Sequence, residues 1–344
     1  MAQKKPPFRR SIGWIIISVW IVSALLVLVA TRIHPAARVN ISVNVKEISF
    51  RTDARYIFDQ FNEEQLLVSG LNSLRIDFSS GTSDSKGDPP NNEAALDLQG
   101  GPGTSCSFYQ VRSGRIELAE PSVVTLGAPA GSDGKSFNLK VHGSASTTLT
   151  SMPATAEFKP GFTCTNARIG ERVAGTLERS LSSVGLDTIL LMTAPDSRFD
   201  FVLASSSKVG NTQIPVLGEI RFSSIDPRSS DEKTILLPAT EGHKNEIVFE
   251  EPRSSMVLDD ADLLLVIPEK DFTLRRFSID DGIHANFYGS VRDLKVGAAA
   301  NDMISRMPSY FDRLDSQKRL FGAVPALAAL ILGLLEKLGS LPKK

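Results

Sequence analysis

The chain has 344 residues, with 38 Lys+Arg against 39 Asp+Glu, 42% hydrophobic residues and two cysteines. That length leaves room for one large domain or two ordinary ones. The near-neutral total hides an asymmetry: residues 1–38 carry six bases and no acid, residues 318–344 carry five bases and one acid, and the body between them holds 27 bases against 38 acids, a net of −11. An acidic body is a poor electrostatic partner for nucleic acid, which excludes nucleic-acid binding as the working class, and for an anionic bilayer surface.

Residues 1–11 form a basic polar tail with Lys4, Lys5, Arg9 and Arg10. Ile12–Thr31 follows, twenty residues without a charge. At about 1.5 Å per helical residue this run spans the roughly 30 Å hydrocarbon core of a bilayer. It is too long for an ordinary signal-peptide core, and the cleavage triplet Leu28-Val29-Ala30 opens on a bulky residue, so the reading is an uncleaved signal anchor. Trp14 sits where an interfacial aromatic is expected, and Trp20 lies deeper. Bases on the N-terminal side place that end in the cytoplasm and the following chain outside it.

Beyond the anchor the pattern becomes β. Val39, Ile41, Val43 and Val45 alternate at period two, and Ile48 and Phe50 switch parity, so a long strand with a bulge near Lys46–Glu47 is predicted. Ile57, Phe58 and Phe61 share one face of a short helix predicted over Thr52–Glu64. Leu74, Ile76 and Phe78 alternate again, and 79–105 reads as a long loop interrupted by Ala-Leu-Asp-Leu. Phe108–Val111 and Ile116–Leu118 flank Ser113-Gly114, a hairpin signal. Short strands are read at Val123–Leu126, Phe137–Val141, Thr147–Thr150 and Thr155–Phe158, with a helix over Glu171–Ser183 weakened by Gly175. Further strands are expected at Thr188–Thr193, Phe199–Ala204, Val216–Phe222, Thr234–Leu237, Glu246–Phe249, Met256–Leu258, Leu263–Ile267, Phe272–Ile279, Ile283–Tyr288 and Val291–Val296. Turn signals every 8–12 residues point to a sandwich or barrel rather than βαβ units.

A loose likeness links Arg75–Asp84, Ile220–Asp226 and Arg276–Asp280. Two similar β subdomains would explain it, as would the few residue types that strand–turn sequences draw on. From Asn301, Ile304, Met307, Phe311, Leu314 and Phe321 recur at helical spacing, with Pro308 starting or kinking the helix. Leu320–Leu335 is then sixteen uncharged residues, slightly short of a full span. Lys318, Arg319 and Lys337 can snorkel to cover the deficit. Gly322, Ala323, Ala326, Ala329 and Gly333 permit close helix approach. A second span is favoured over a buried or in-plane helix.

The fold expected is therefore mainly β, sandwich-like and exoplasmic, with transmembrane helices at the N-terminus and the C-terminus. Its parts are a basic tail (1–11), an anchor (12–31), a β-rich subdomain (39–165), a second β-rich part (166–297), an amphipathic helix (301–319) and a second span (320–338). Cys106 and Cys164 both lie in the body. Outside the cytoplasm a disulfide between them is permitted, the alternative being two buried thiols.

Catalytic chemistry is not legible. Gly100-Gly101-Pro102-Gly103-Thr104-Ser105 has the composition of a backbone oxyanion turn, but Leu181-Ser-Ser-Val-Gly185 lacks the first glycine of a nucleophile elbow, so a loop ahead of a strand is the better reading. His34, His142, His243 and His284 are far apart at no metal-ligand spacing. Asp259-Asp260-Ala261-Asp262 and Asp280-Asp281-Gly282 fit no EF-hand loop and read as solvated turns. Asn40-Ile41-Ser42 is the one glycosylation sequon. No catalytic residue, cofactor or metal ligand is assigned.

The function expected is a membrane-anchored envelope protein of the bacterial inner membrane, its bulk periplasmic, acting as a non-enzymatic interaction or assembly component. Its partners would be the membrane and a protein or a second copy of itself. A membrane-proximal carrier of lipid or another apolar ligand is the alternative, and a hydrolase whose site assembles only in space stands behind both.

Overall fold

In the computed structural model the described residues run from 31 to 313, except 59–60, 79–94, 102, 130–134, 155–158, 171, 174, 183–186, 205–210, 226–231, 240–243, 280–281 and 311, with Ile21, Leu25, Leu28 and Val29 before them. The first strands are β1 (Ala37–Val45), β2 (Glu47–Thr52), β3 (Tyr56–Ile57), β4 (Phe61–Asp77), β5 (Ala95–Gln99), β6 (Ser105–Ser113), β7 (Ile116–Leu118), β8 (Ser122–Gly127), β9 (Ser136–Val141) and β10 (Ala145–Ser151). Next come β11 (Gly161–Thr165), β12 (Arg168–Ile169), β13 (Arg172–Val173), β14 (Thr176–Ser180), β15 (Thr188–Leu203), β16 (Asn211–Pro215), β17 (Ile220–Arg221), β18 (Ser223–Ile225) and β19 (Glu232–Thr234). The last are β20 (Glu246–Phe249), β21 (Ser254–Val257), β22 (Leu263–Pro268), β23 (Thr273–Ile279), β24 (Ile283–Gly297) and β25 (Ile304–Ser305).

Among the described residues these strands form a fourteen-stranded sheet, a nine-stranded sheet and the separate pair β18–β19. The architecture is mainly β and sandwich-like. The larger sheet takes β2–β15 and the smaller takes β1 with β16, β17 and β20–β25, so along the chain the later change of sheet falls between Leu203 and Asn211. One strand path crosses it. Val39, Ile41, Val43 and Val45 are buried in β1, the chain bends at Lys46, and Ile48 and Phe50 are buried in β2. The bend is held from both sides, since Lys46 N donates to Ile235 O and Ala128 N donates to Lys46 O. The parity switch in the sequence thus marks a change of sheet.

The core of the larger sheet is the long antiparallel pair β4–β15. Its register jumps from Leu71↔Thr193 to Ser69↔Arg198, leaving Ala194–Ser197 as a bulge. Pro195 fits there because it has no N–H to give a ladder. Gly70 opposite the bulge has φ +82, and a Cβ on it would meet the Ser197 backbone at 3.2 Å. Pairing continues β4–β6–β10–β15 and back to β4, a closed circuit. Between the sheets the seam is filled by rings: Phe277 of β23 packs edge-on against Phe58 and Phe137, and Phe137 stacks on Phe201 at 4.5 Å.

Several local expectations are corrected. No helix is found among the described residues of Thr52–Glu64: Phe58 takes φ 60 in a turn, and β3 and β4 lie on either side. Ile57, Phe58 and Phe61 are all buried, so a strand–turn–strand reproduced helical spacing. The region 171–183 holds β13 and β14, with β14 on β11, in place of a helix. Strands β6 and β7 do not form a hairpin; both lie along β10, one after the other. The likeness of 75–84, 220–226 and 276–280 is no duplication, because its described parts fall on β4, on β17 and β18, and on β23, which have different pairing partners and positions. Thr155–Phe158 and most of both apolar end runs lie outside the described residues, and among those described no helix is long and apolar enough to cross a membrane.

Candidate functional site at the meeting of the chain ends

The two ends of the β body come together at one place. Ile33 N donates to Val29 O at 3.1 Å and Thr31 Oγ1 donates to Leu28 O at 2.8 Å, closing the last turn of a helix that enters from the N-terminus. Pro35 disfavours helix at His34, so the chain extends into β1. At the other end, β25 pairs with the end of β24, and Arg306 N donates to Leu294 O at 2.8 Å. Met307–Ser309 are buried, and a helix starts at Tyr310.

That start is a reciprocal capping box. Ser309 N and Oγ donate to Asp312 Oδ2 at 2.8 and 2.7 Å, and Asp312 N donates to Ser309 Oγ at 3.2 Å. Two donors at the helix start are thereby satisfied. The expected helix over 301–319 therefore begins nine residues later; before it come a short 3-10 turn (Ala300–Asp302) and β25. Its residues 314–319 lie outside the described set.

Four contacts tie the ends together. Tyr310 N donates to Ile33 O at 2.9 Å. His34 Nδ1 lies 3.0 Å from Met307 O, and because a carbonyl only accepts, that nitrogen carries the proton. The Arg313 guanidinium donates to Pro35 O at 3.1 Å and to Ala36 O. The charge here opposes that of the body: Arg32, Arg292 and Arg306 are exposed and make no ion pair among the described residues. Arg38 stands 3.8 Å from Asp271.

A second polar centre lies inside the closed circuit. Glu63 is fully buried on β4 and accepts from Ser113 Oγ of β6. Among the described residues its Oε2 has no hydrogen-bond partner, nor have Thr147 Oγ1 and Ser151 Oγ on β10. Burial pushes its carboxyl up to about 8, against the opposing hydrogen bonds from Ser113. Sequence reading missed this group because Glu63-Glu64 looks like a solvated pair. The break in register between Val202↔Gln65 and Leu203↔Glu63 turns Glu63 inward.

Cys106 of β6 and Cys164 of β11 are register partners with Cα atoms 4.1 Å apart, joined by a disulfide and fully buried. In the glycine-rich turn, Gly100 N donates to Asn72 O, Gly101 N to Thr104 Oγ1 and Thr104 N to Gly101 O. These N–H groups hold the turn itself. Gly100 is required there, since a Cβ would stand 1.7 Å from Leu71 O.

The histidines stay apart. His34 is at the meeting point, His284 lies on β24, and His243 falls outside the described residues. His142 Nδ1 lies 2.7 Å from Asp196 Oδ1, with both side chains exposed. In the first acidic turn Asp262 Oδ2 accepts from Asp259 N at 2.9 Å, and Asp280-Asp281 lie outside the described set. The sequon residue Asn40 sits within β1 between β20 and β24, and its Oδ1 accepts from Asn286 Nδ2 at 2.7 Å. Of the end-run residues Ile12, Thr31, Leu320 and Leu335, only Thr31 is described.

No protein-family model matches the chain, and no curated protein matches it either.

Proposed function

We propose that this chain is a membrane-anchored envelope protein whose β body is held at both ends against the bilayer and acts as a non-enzymatic interaction or assembly component. The observation that carries the reading is the hydrogen-bonded meeting of Ile33–Ala36 with Met307–Arg313. It brings the chain that follows the run Ile12–Thr31 to the chain that leads toward the run Leu320–Leu335, which is the arrangement a body tethered through both runs requires. The exposed bases Arg32, Arg292 and Arg306, without an ion pair among the described residues, lie on the segments at that end of an otherwise acidic body, where anionic head groups would meet them. The Cys106–Cys164 disulfide is of a kind that persists on the oxidising, exoplasmic side.

The seam between the sheets supports a component over a lipid carrier. A carrier needs an apolar groove, and here buried phenylalanine rings occupy the space between the layers. Partner contact has strand edges to use. Ser254–Val257 in β21 is uncharged, pairs only with β20 among the described residues, and leaves Val257 60% exposed. The exposed His142–Asp196 pair is hydrogen-bonded to no serine among the described residues.

Reporter fusions after Ala37, near Ala299 and after Lys344 test the reading. The first two should report the exoplasm and the last the cytoplasm. A cytoplasmic signal near Ala299 overturns the compartment. Co-purification from detergent-solubilised membranes then separates a bound protein from bound lipid.

A further inference from the structure

The nine-stranded sheet ends on β21, which pairs only with β20 among the described residues. The ladder shows which backbone groups that edge leaves open. Leu258 N donates to Asn245 O at 2.9 Å, continuing the register in which Val257 faces Glu246 and Met256 faces Ile247. Antiparallel pairs alternate between bonded and non-bonded, so Ser254, Met256 and Leu258 give their backbone groups to β20, while Ser255 and Val257 turn N–H and C=O outward. The other side of β20 keeps the same phase, since Glu250 N donates to Arg38 O. Natural sheets blunt an open edge with charge, proline or a bulge. Ser254–Val257 has no charge and no proline, and its pairing with β20 runs without a register shift. The charges stand at its two ends with opposite sign: Arg253 before the strand, Asp259 and Asp260 after it, all exposed and in no ion pair among the described residues.

We propose that β21 pairs antiparallel with β21 of a second copy of this chain, about a two-fold axis at Met256. The inference rests on the reading of the body as an interaction or assembly component and names its partner. In a two-fold pair one residue faces itself on the axis and the residues on either side exchange partners. With Met256 on the axis, Ser255 faces the second copy's Val257, and Val257 faces its Ser255. Both residues have outward backbone groups, so both pairs exchange N–H···O=C bonds in each direction. The same register sets Arg253 opposite Asp259 at both ends of the pair. An axis at Ser255 sets Glu251 opposite Asp259, like against like, and an axis at Val257 sets Arg253 opposite Ala261. One edge carries both halves of the charge pattern, so it is complementary to itself, and the occupant is a second copy. On the side chains, Ser255, Val257 and Val248 share the exposed face of the sheet, opposite the face of the buried Ile247 and Phe249. The pairing covers each Val257, 60% exposed in one chain, with the second copy's Ser255, and only that small residue separates it from Val248.

Engineered cysteines in native membranes test it. Cys106 and Cys164 are bonded to each other, so they do not compete for the new thiol. Met256→Cys sets a cysteine against itself across the axis, where the Cα atoms of a non-hydrogen-bonded pair stand about 4.5 Å apart, within the roughly 7 Å reach of a disulfide. Ser254→Cys, on the same face, stands about 13 Å along the strand from its own copy. The full chain with Met256→Cys should run as a dimer until reductant is added, and the chain with Ser254→Cys as a monomer. Met256 is partly buried, so a second arrangement reads the same register from the exposed face: two differently tagged chains, one with Ser255→Cys and one with Val257→Cys, should link to each other. In the Met256→Cys background, Arg253→Asp or Asp259→Arg should lower the linked fraction severalfold, and the two together should restore it. No dimer from either cysteine arrangement, equal linking of Met256→Cys and Ser254→Cys, or charge reversals that leave the link unchanged each overturn the inference. A link from Met256→Cys to a chain of another mass overturns it in favour of a different protein. The reporter fusions are read on the same membranes: an exoplasmic signal near Ala299 without a dimer leaves the topology standing and removes only the second copy as partner.

Discussion

Glu63 makes stability depend on pH in a defined direction. It is buried inside the β4–β6–β10–β15 circuit, facing Val111 and Ser113 on β6 and Leu203 on β15, with no other ionisable side chain among those neighbours. Its carboxyl moves from an ordinary value of 4.5 to about 8. Below pH 4.5 the folded and unfolded chains both hold the proton, and the group costs nothing. From there to about pH 8 the unfolded chain ionises while the folded one stays protonated, so stability falls by about 1.4 kcal/mol per pH unit. The whole window amounts to about 5 kcal/mol, complete above the folded value. Glu63→Gln keeps an acceptor for Ser113 and cannot ionise. The difference in unfolding free energy between variant and wild type should therefore shift by about 5 kcal/mol toward the variant from about pH 3.5 to about pH 9. Urea unfolding of the full chain in detergent, followed by far-ultraviolet circular dichroism, measures it. Both tryptophans, Trp14 and Trp20, precede the body, so indole fluorescence does not report on its core. A difference that stays constant across the window refutes the reasoning and means that water reaches the carboxylate.

Three further outcomes follow from the packing. Phe277→Ala removes the ring that joins the two sheets and should cost about 3–5 kcal/mol, read as a lower thermal midpoint. Reduction of Cys106–Cys164 opens a loop with a sequence separation of 58 and should cost about 4 kcal/mol, measured by unfolding with and without reductant. Ser309→Ala breaks the capping box and should cost about 1 kcal/mol, with faster amide exchange at Asp312 than in the wild type; unchanged exchange would mean that the cap does not hold the turn.

The sequence by itself determined the elements whose signal is local. Alternation marked β1, the last residues of β4, and β9, and the parity switch marked the turn at Lys46, because each depends on residues a few positions apart. Helical spacing misled at Ile57, Phe58 and Phe61, where a left-handed turn at Phe58 brought two strands onto one buried side. The start at Ser309 was written as Ser-x-x-Asp after a proline, and the looser spacing from Ile304 masked it. Only the tertiary structure decided the rest. Strand β1 pairs with β20 and β24, more than two hundred residues away, through backbone groups that every residue shares, so no side chain announces the partner. The inward turn of Glu63 depends on a register break set by β15. The meeting of Ile33 with Tyr310 depends on the whole body returning the chain to where it began. A local pattern fixes which way a side chain faces along its own strand, and only the closed set of pairings fixes what it faces.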